Sequence, residues 1–146
     1  MSENNPPKAG YSIISIRLAH CSFQMNSYEN FAELQKKIDV TSSFEIKENK
    51  IQVQVKLNYL AINPDKSNAV DSVIIMYGDF ESQGETSLPP ENFGKANGPA
   101  IVYPYLREHL SSLLMKAGLG YHYIPALNFA LKNVHTIESI KGEKKI

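Results

Sequence analysis

The chain has almost no cysteine, no surplus of either charge and no long apolar run, and each shortage removes a class of protein. The one cysteine, Cys21, cannot close an internal disulfide, which suits a reducing compartment rather than a disulfide-stapled secreted domain. Fifteen basic residues balance 15 acidic ones, so no long-range field directs the chain to nucleic acid or to an anionic membrane. The longest unbroken apolar stretch is Val73–Tyr77 (VIIMY), far below the roughly 20 residues of a membrane-spanning helix. The opening MSENNPPKAG has no apolar stretch and does not read as a signal peptide. Together these shortages lead us to expect a soluble, cytoplasmic protein.

Catalytic signatures are missing too. The four histidines, His20, His109, His122 and His135, form no HxH or HExxH pair, and none stands beside Cys21 at metal-ligand spacing. Packing or surface roles explain them more economically than a metal site. Cys21 falls on the apolar phase of its segment, as a small buried hydrophobe would, rather than as a nucleophile. No GxGxxG, GxxxxGK[ST] or GxSxG occurs. Asp79, Glu81 and Glu85 are close in sequence, but solvation accounts for them. We therefore expect no enzyme, no cofactor and no metal.

The 146 residues suit one domain of ordinary size. Residues 1–10 and 141–146 read as a mobile N-terminal tail and a charged C-terminal one, leaving a single domain over 11–140. Its middle alternates with period two. Ile51, Val53, Val55, Leu57 and Tyr59 share one face, and Ile38, Val40, Phe44 and Ile46 share one in the preceding run. The polar Lys47-Glu48-Asn49-Lys50 between them predicts an antiparallel hairpin. In Tyr11–Met25 the apolar phase passes from Ile14, Ile16 and Leu18 to Ala19, Cys21, Phe23 and Met25, which demands a bulge or bend near Leu18-Ala19. A fourth strand, Val70–Glu81, is apolar on both sides from Val73 to Tyr77, so both of its faces should be covered.

The period then changes to helix. Leu106, Leu110, Leu113, Leu114 and Ala117 form one stripe, with Arg107, Glu108, Ser111, Ser112 and Lys116 opposite. Pro104 suits a first turn and Gly118 a stop; Pro99 could start the helix earlier, with Pro104 then bending it. Residues 130–140 (ALKNVHTIESI) hold apolar groups at Leu131, Val134, Ile137 and Ile140, compatible with a second, weaker helix, against which stand Asn133, Thr136 and the β-branched residues. The expected fold class is α+β: a four-stranded antiparallel sheet with one long helix, and room for a short one, on one side.

The aromatics exceed what that plan consumes. Tyr28, Phe31, Tyr103, Tyr105, Tyr121, Tyr123 and Phe129 cluster after the first strand and around the helix. The plain account is that they close the core. One helix on one sheet has a single buried interface, however, and the Leu106–Ala117 stripe already fills it. Tyr105 and the Tyr121–Ile124 run, flanked by Gly118, Gly120 and Pro125, are then surplus, as in a subunit contact or a binding groove.

The run Val102-Tyr103-Pro104-Tyr105-Leu106-Arg107-Glu108, the Ser112-Leu113 after it, the Gly118 stop, and Pro125 followed by Leu127-Asn128-Phe129 together resemble the SecB protein-export chaperones. The likeness spans roughly 11–130, with its specific motifs confined to 99–129. It implies ATP-independent holding of unfolded or nascent polypeptides, such as preproteins, in apolar grooves. It also implies a homo-oligomer, a tetramer built as a dimer of dimers. By position, Tyr28, Phe31, Leu34, Tyr121, Tyr123 and Ile124 would line the groove; Tyr105, Leu106, Leu110 and Leu113 would serve the subunit interface. One departure bears on partners. Where the family tends to read Asp-x-Ser-Phe-Glu, this chain has His20-Cys21-Ser22-Phe23-Gln24, so docking to the SecA motor loses its acidic positions. Some SecB-like proteins instead protect the antitoxin of a toxin–antitoxin pair, and the neutral chain suits that role equally. A small-ligand-binding α+β domain, or a fixed subunit of another complex, remain the competing readings.

Overall fold

The computed structural model describes residues 10–84, 88–120 and 122–139. The two expected tails, Gly10 excepted, and Tyr121 lie outside the described residues. Five antiparallel strands make one sheet: β1 (Tyr11–Met25), β2 (Gln35–Lys47), β3 (Lys50–Ile62), β4 (Asn68–Ser82) and β5 (Val134–Ser139), in the order β1-β4-β3-β2-β5. A 3-10 turn, Phe31–Glu33, precedes β2. Between β4 and β5 the chain is helical, from α1 (Pro90–Asn92) through a π-helical turn (Phe93–Asn97) into α2 (Gly98–Lys116).

The central hairpin forms as the alternation requires. Lys47 pairs with Lys50, and Glu48 turns the chain with a left-handed φ of 58°. From Ile51 to Ala61, each odd-numbered residue of β3 is buried. Strand β1 shows why its apolar phase flips. Register shifts at Ile13/Ser15 and Leu18/His20 insert extra residues, so that Ile16, Leu18, Cys21, Phe23 and Met25 oppose Gly78, Met76, Ile74, Ser72 and Val70 in turn. The bulges bring two phases of sequence onto one face of the sheet.

That face carries α2, which packs over β3 and β4. Contact is close because two glycines face it. A methyl group on Gly78 would stand 2.6 Å from Val102 Cγ2, and one on Gly98 the same distance from Val53 Cγ2. Val102, Tyr103, Leu106, Leu110 and Leu114 are the buried stripe of the helix. Pro99 lies in its first turn and Pro104 in its interior, so the helix starts before the first position that Pro104 would suit. It ends in a Schellman motif: the Gly118 N–H donates to the Met115 carbonyl (3.0 Å) and that of Leu119 to Leu114 (2.9 Å), with Gly118 at φ 78°.

Four expectations fail here. The sheet has five strands, not four, because residues 134–139 pair with β2, Ile137 opposite Ile38 and His135 opposite Val40. Where the second helix is expected over 130–140, residues 130–133 make a turn and 134–139 a strand. A spacing of three satisfies a helix on paper, but Val134, Ile137 and the edge of β2 gain more from pairing, since β-branched residues suit a pleated surface. The far side of β4 is not covered: Val73, Ile75 and Tyr77 stay partly exposed there, and no described element lies over them. Cys21, expected to be buried, is exposed on β1.

Candidate functional site

After α2 the chain runs back along the helix in an extended segment, and its docking is specific. Tyr103 donates its hydroxyl proton to the Pro125 carbonyl (2.8 Å), and Arg107 donates to the carbonyl of Ile124 (3.3 Å). Burial pushes the Tyr103 hydroxyl up to about 12, so it stays a donor at any ordinary pH. Phe129 stacks edge-on between Tyr103 and His135, with centroids at 5.7 and 5.1 Å. His122 meets the rings of Phe31 (6.2 Å) and Tyr59 (5.9 Å) edge-on. The crossover after β1 and the segment after α2, both singled out in the sequence, therefore touch through Phe31 and His122.

Two open hollows follow one stripe of α2, each walled by this returning segment. The first, about 330 Å³, is lined by Pro104, Arg107, Glu108, Ser111, Tyr123 and Ile124. The second, about 370 Å³, lies between Ala96, Asn97 and Ala100 of the helical run and residues 127–130. Positions 97, 100, 104, 108 and 111 recur at helical spacing, so the hollows lie in line along the helix. The first hollow mixes the polar groups of Arg107, Glu108 and Ser111 with Pro104, Tyr123 and Ile124, and the second is the more apolar of the two.

The sequence-derived site residues divide by burial. Tyr28 and Tyr123 are 67% and 52% exposed, whereas Phe31, Leu34 and Ile124 retain only 7%, 8% and 5%. The last three belong to the hydrophobic core, and the two tyrosines lie outside it. Tyr121 lies outside the described residues. Of the helix positions, Tyr105 is half exposed and Leu113 partly buried, but Leu106 and Leu110 have no exposed area because they pack on the sheet of their own chain.

Strand β1 supplies the apolar area that sequence reasoning did not assign. It is an edge strand, α2 leaves most of it uncovered, and Ile13, Ile14, Leu18 and Met25 are all exposed. Lys36 was also missed. It is buried in phase with Ile38 and Val40, its ammonium donates to the Phe31 carbonyl, and it sits 4.5 Å from the centre of the Phe31 ring. Its place two residues before Ile38, on the apolar phase, was the available signal. On the far face, Asp79 ties three strands together by accepting from Ser15 (2.9 Å), Arg17 (2.7 Å) and Gln52 (3.1 Å). Partial burial alone would raise its carboxyl; these hydrogen bonds and the Arg17 charge outweigh it and hold the group below the usual range.

Among the described residues no three His, Cys, Asp or Glu side chains gather as a metal site, and no helix is long and apolar enough to cross a membrane. Although Cys21 is exposed, the partial desolvation of its thiol raises its pKa, the wrong direction for a nucleophile at neutral pH.

No known protein-family profile matches the chain, and no curated protein matches it by sequence. Among solved structures, it superposes on a Mycobacterium tuberculosis SecB-like chaperone in complex with a ChAD peptide from the HigA1 antitoxin, with a TM-score of 0.70 at 16% identity, covering 82% of this chain and 92% of the other. The fold is SecB-like. The comparison protein is a SecB-like chaperone, and its bound peptide comes from an antitoxin. At such low identity the SecB-like architecture is shared while the surface residues are this chain's own.

Proposed function

We propose that this SecB-like chain is an ATP-independent holdase that shields unfolded polypeptide in the furrow between α2 and its returning segment. The observation that carries the reading is the placement of Tyr28 and Tyr123, both more than half exposed, on the two segments joined by Phe31 and His122. A surface that must hold many sequences needs adaptable apolar and aromatic area rather than fixed donors and acceptors. Burying one large apolar side chain yields about 1.5–3 kcal/mol, and ordering a flexible client takes back roughly 2–5 kcal/mol. One furrow therefore binds weakly, and useful affinity comes from several on one homo-oligomer, here a dimer of dimers. The open apolar edge of β1, with Tyr105 and Leu113, supplies the subunit contacts, and Tyr121 joins the client-facing tyrosines.

For the client we favour the antitoxin of a toxin–antitoxin pair over a preprotein bound for export. Two observations support this: the similar chaperone carries an antitoxin peptide, and His20 and Gln24 replace the acids expected for docking SecA. Acting on such a client places the chain in the cytoplasm. A small-ligand pocket would be closed, whereas both hollows beside α2 are open to solvent.

The test is aggregation of a reduced, unfolded reporter protein without ATP, with and without the chain, while light scattering reports the oligomeric mass. Suppression by a substoichiometric tetramer is expected, as is competition by an antitoxin-derived peptide stronger than by an unfolded preprotein. A monomer that leaves aggregation unchanged would overturn the reading.

A further inference from the structure

One buried cluster plays no part in the furrow itself. Among the described residues the Tyr59 hydroxyl and His122 Nδ1 are buried without a hydrogen-bond partner. The ring of His122 lies against Phe31 and Tyr59, and Lys36 is buried over the Phe31 ring, bound to the Phe31 carbonyl. An imidazole so placed is tolerable only when neutral, with its proton on Nε2, because a proton on Nδ1 would find no acceptor.

We infer that His122 is an acid-sensitive latch: neutral, it seats residues 122–125 between the sheet and α2, and protonated, it releases them and dismantles the wall of the furrow.

The surroundings of the ring fix the direction. From the 3-10 turn, Phe31 meets the ring with an uncharged face, and Glu33 of the same turn is exposed. From β2, Lys36 brings a second cation. From β3, Tyr59 is titratable, but burial pushes its hydroxyl up and keeps it neutral throughout. From α2, the charge of Arg107 is taken up by the Ile124 carbonyl and the Tyr103 ring. Desolvation, then repulsion from Lys36, lower the His122 pKa from its ordinary value of 6.5. The released form therefore binds the proton more readily than the seated one. Seating is complete above the ordinary pKa and is lost progressively as pH falls below it. What remains to hold the segment is the Tyr103 and Arg107 bonds to two carbonyls and the burial of Ile124.

Opening of the latch is independent of what the furrow binds; its effect on clients rests on the holdase reading. The experiment uses the full chain and reads the two separately. Amide hydrogen exchange at His122, Tyr123 and Ile124 is compared at pH 7.5 and 5.0 after correction for intrinsic rates, and imidazole NMR titration follows all four histidines. Protection should fall about tenfold for each unit by which seating lowers the His122 pKa. His122→Gln should abolish this acid response, and Lys36→Met should shrink it. An equal response in His122→Gln, or a wild-type His122 that titrates at or above 6.5, would overturn the latch; the titration needs no variant to fold. Capture of an unfolded reporter should fall at acid pH in parallel. Acid opening with unchanged capture would uphold the latch and count against the furrow as the client site.

Discussion

Tyr123 follows the His122 that touches Phe31, yet the chain uses the two rings in opposite ways. Tyr123 keeps half of its surface in water at the mouth of a hollow, whereas Phe31 is nearly enclosed and carries the Lys36 ammonium over its ring. Tyr123→Asp should therefore weaken binding of an unfolded reporter by about 1.5–3 kcal/mol, measured by titration calorimetry, with the urea midpoint unchanged. Phe31→Ala should instead cost roughly 3–5 kcal/mol of folding stability, visible in the same urea titration. If Phe31→Ala left the midpoint alone, Phe31 would be part of the client surface rather than of the core. Composition marks both rings as aromatic surplus. Only the turn that folds Phe31 under β2 decides that one is consumed and the other is not.

At the scale of elements, local period sufficed wherever a strand pairs with its neighbour in sequence. The hairpin of β2 and β3 was legible for that reason, and so was the bulge in β1, because a phase flip has no other remedy in an edge strand that must oppose a single row of β4. The stripe of α2 was equally plain. What could not be read was β5. Its apolar residues are spaced for a helix, and nothing local says that β2 has an unsatisfied edge more than 90 residues upstream, where Asn133 donates to Ser42 and Thr136 to Asp39. Long-range pairing outweighed local propensity. The furrow is likewise a product of return: α2 supplies one wall, and the segment that supplies the other reaches it only through contacts with Tyr103 and Arg107. Close approach of helix and sheet depends on Gly78. Gly78→Ala would press a methyl against Val102 and against Phe80 Cε2 at 2.8 Å, and should lower stability by about 1–3 kcal/mol through overpacking. Calorimetric unfolding checks this; a variant as stable as the parent would mean that α2 can slide without cost.

For the molecule as a whole, the unequal treatment of its two sheet edges matters most. One edge is the short β5; the other is β1, long, unpaired and exposing Ile13, Leu18 and Met25 on the side of α2. Natural sheets seldom leave such an edge to water. Leu18→Lys sets a charge in the middle of that strip and should reduce the mass seen by light scattering by at least half, with far-UV circular dichroism unchanged. An unaltered mass would place the assembly contact elsewhere.

The strand order also has a consequence in time. Strand β1 leaves the ribosome before the other four strands, yet its one partner among the described residues, β4, begins some 40 residues after β1 ends. The meander of β2, β3 and β4 can close on itself as it emerges, while β1 must wait for the meander and β5 must wait for α2. Non-local pairing of this kind slows folding. During that wait, the newborn chain displays a greasy ribbon of its own, and on the holdase reading it briefly resembles its own guests.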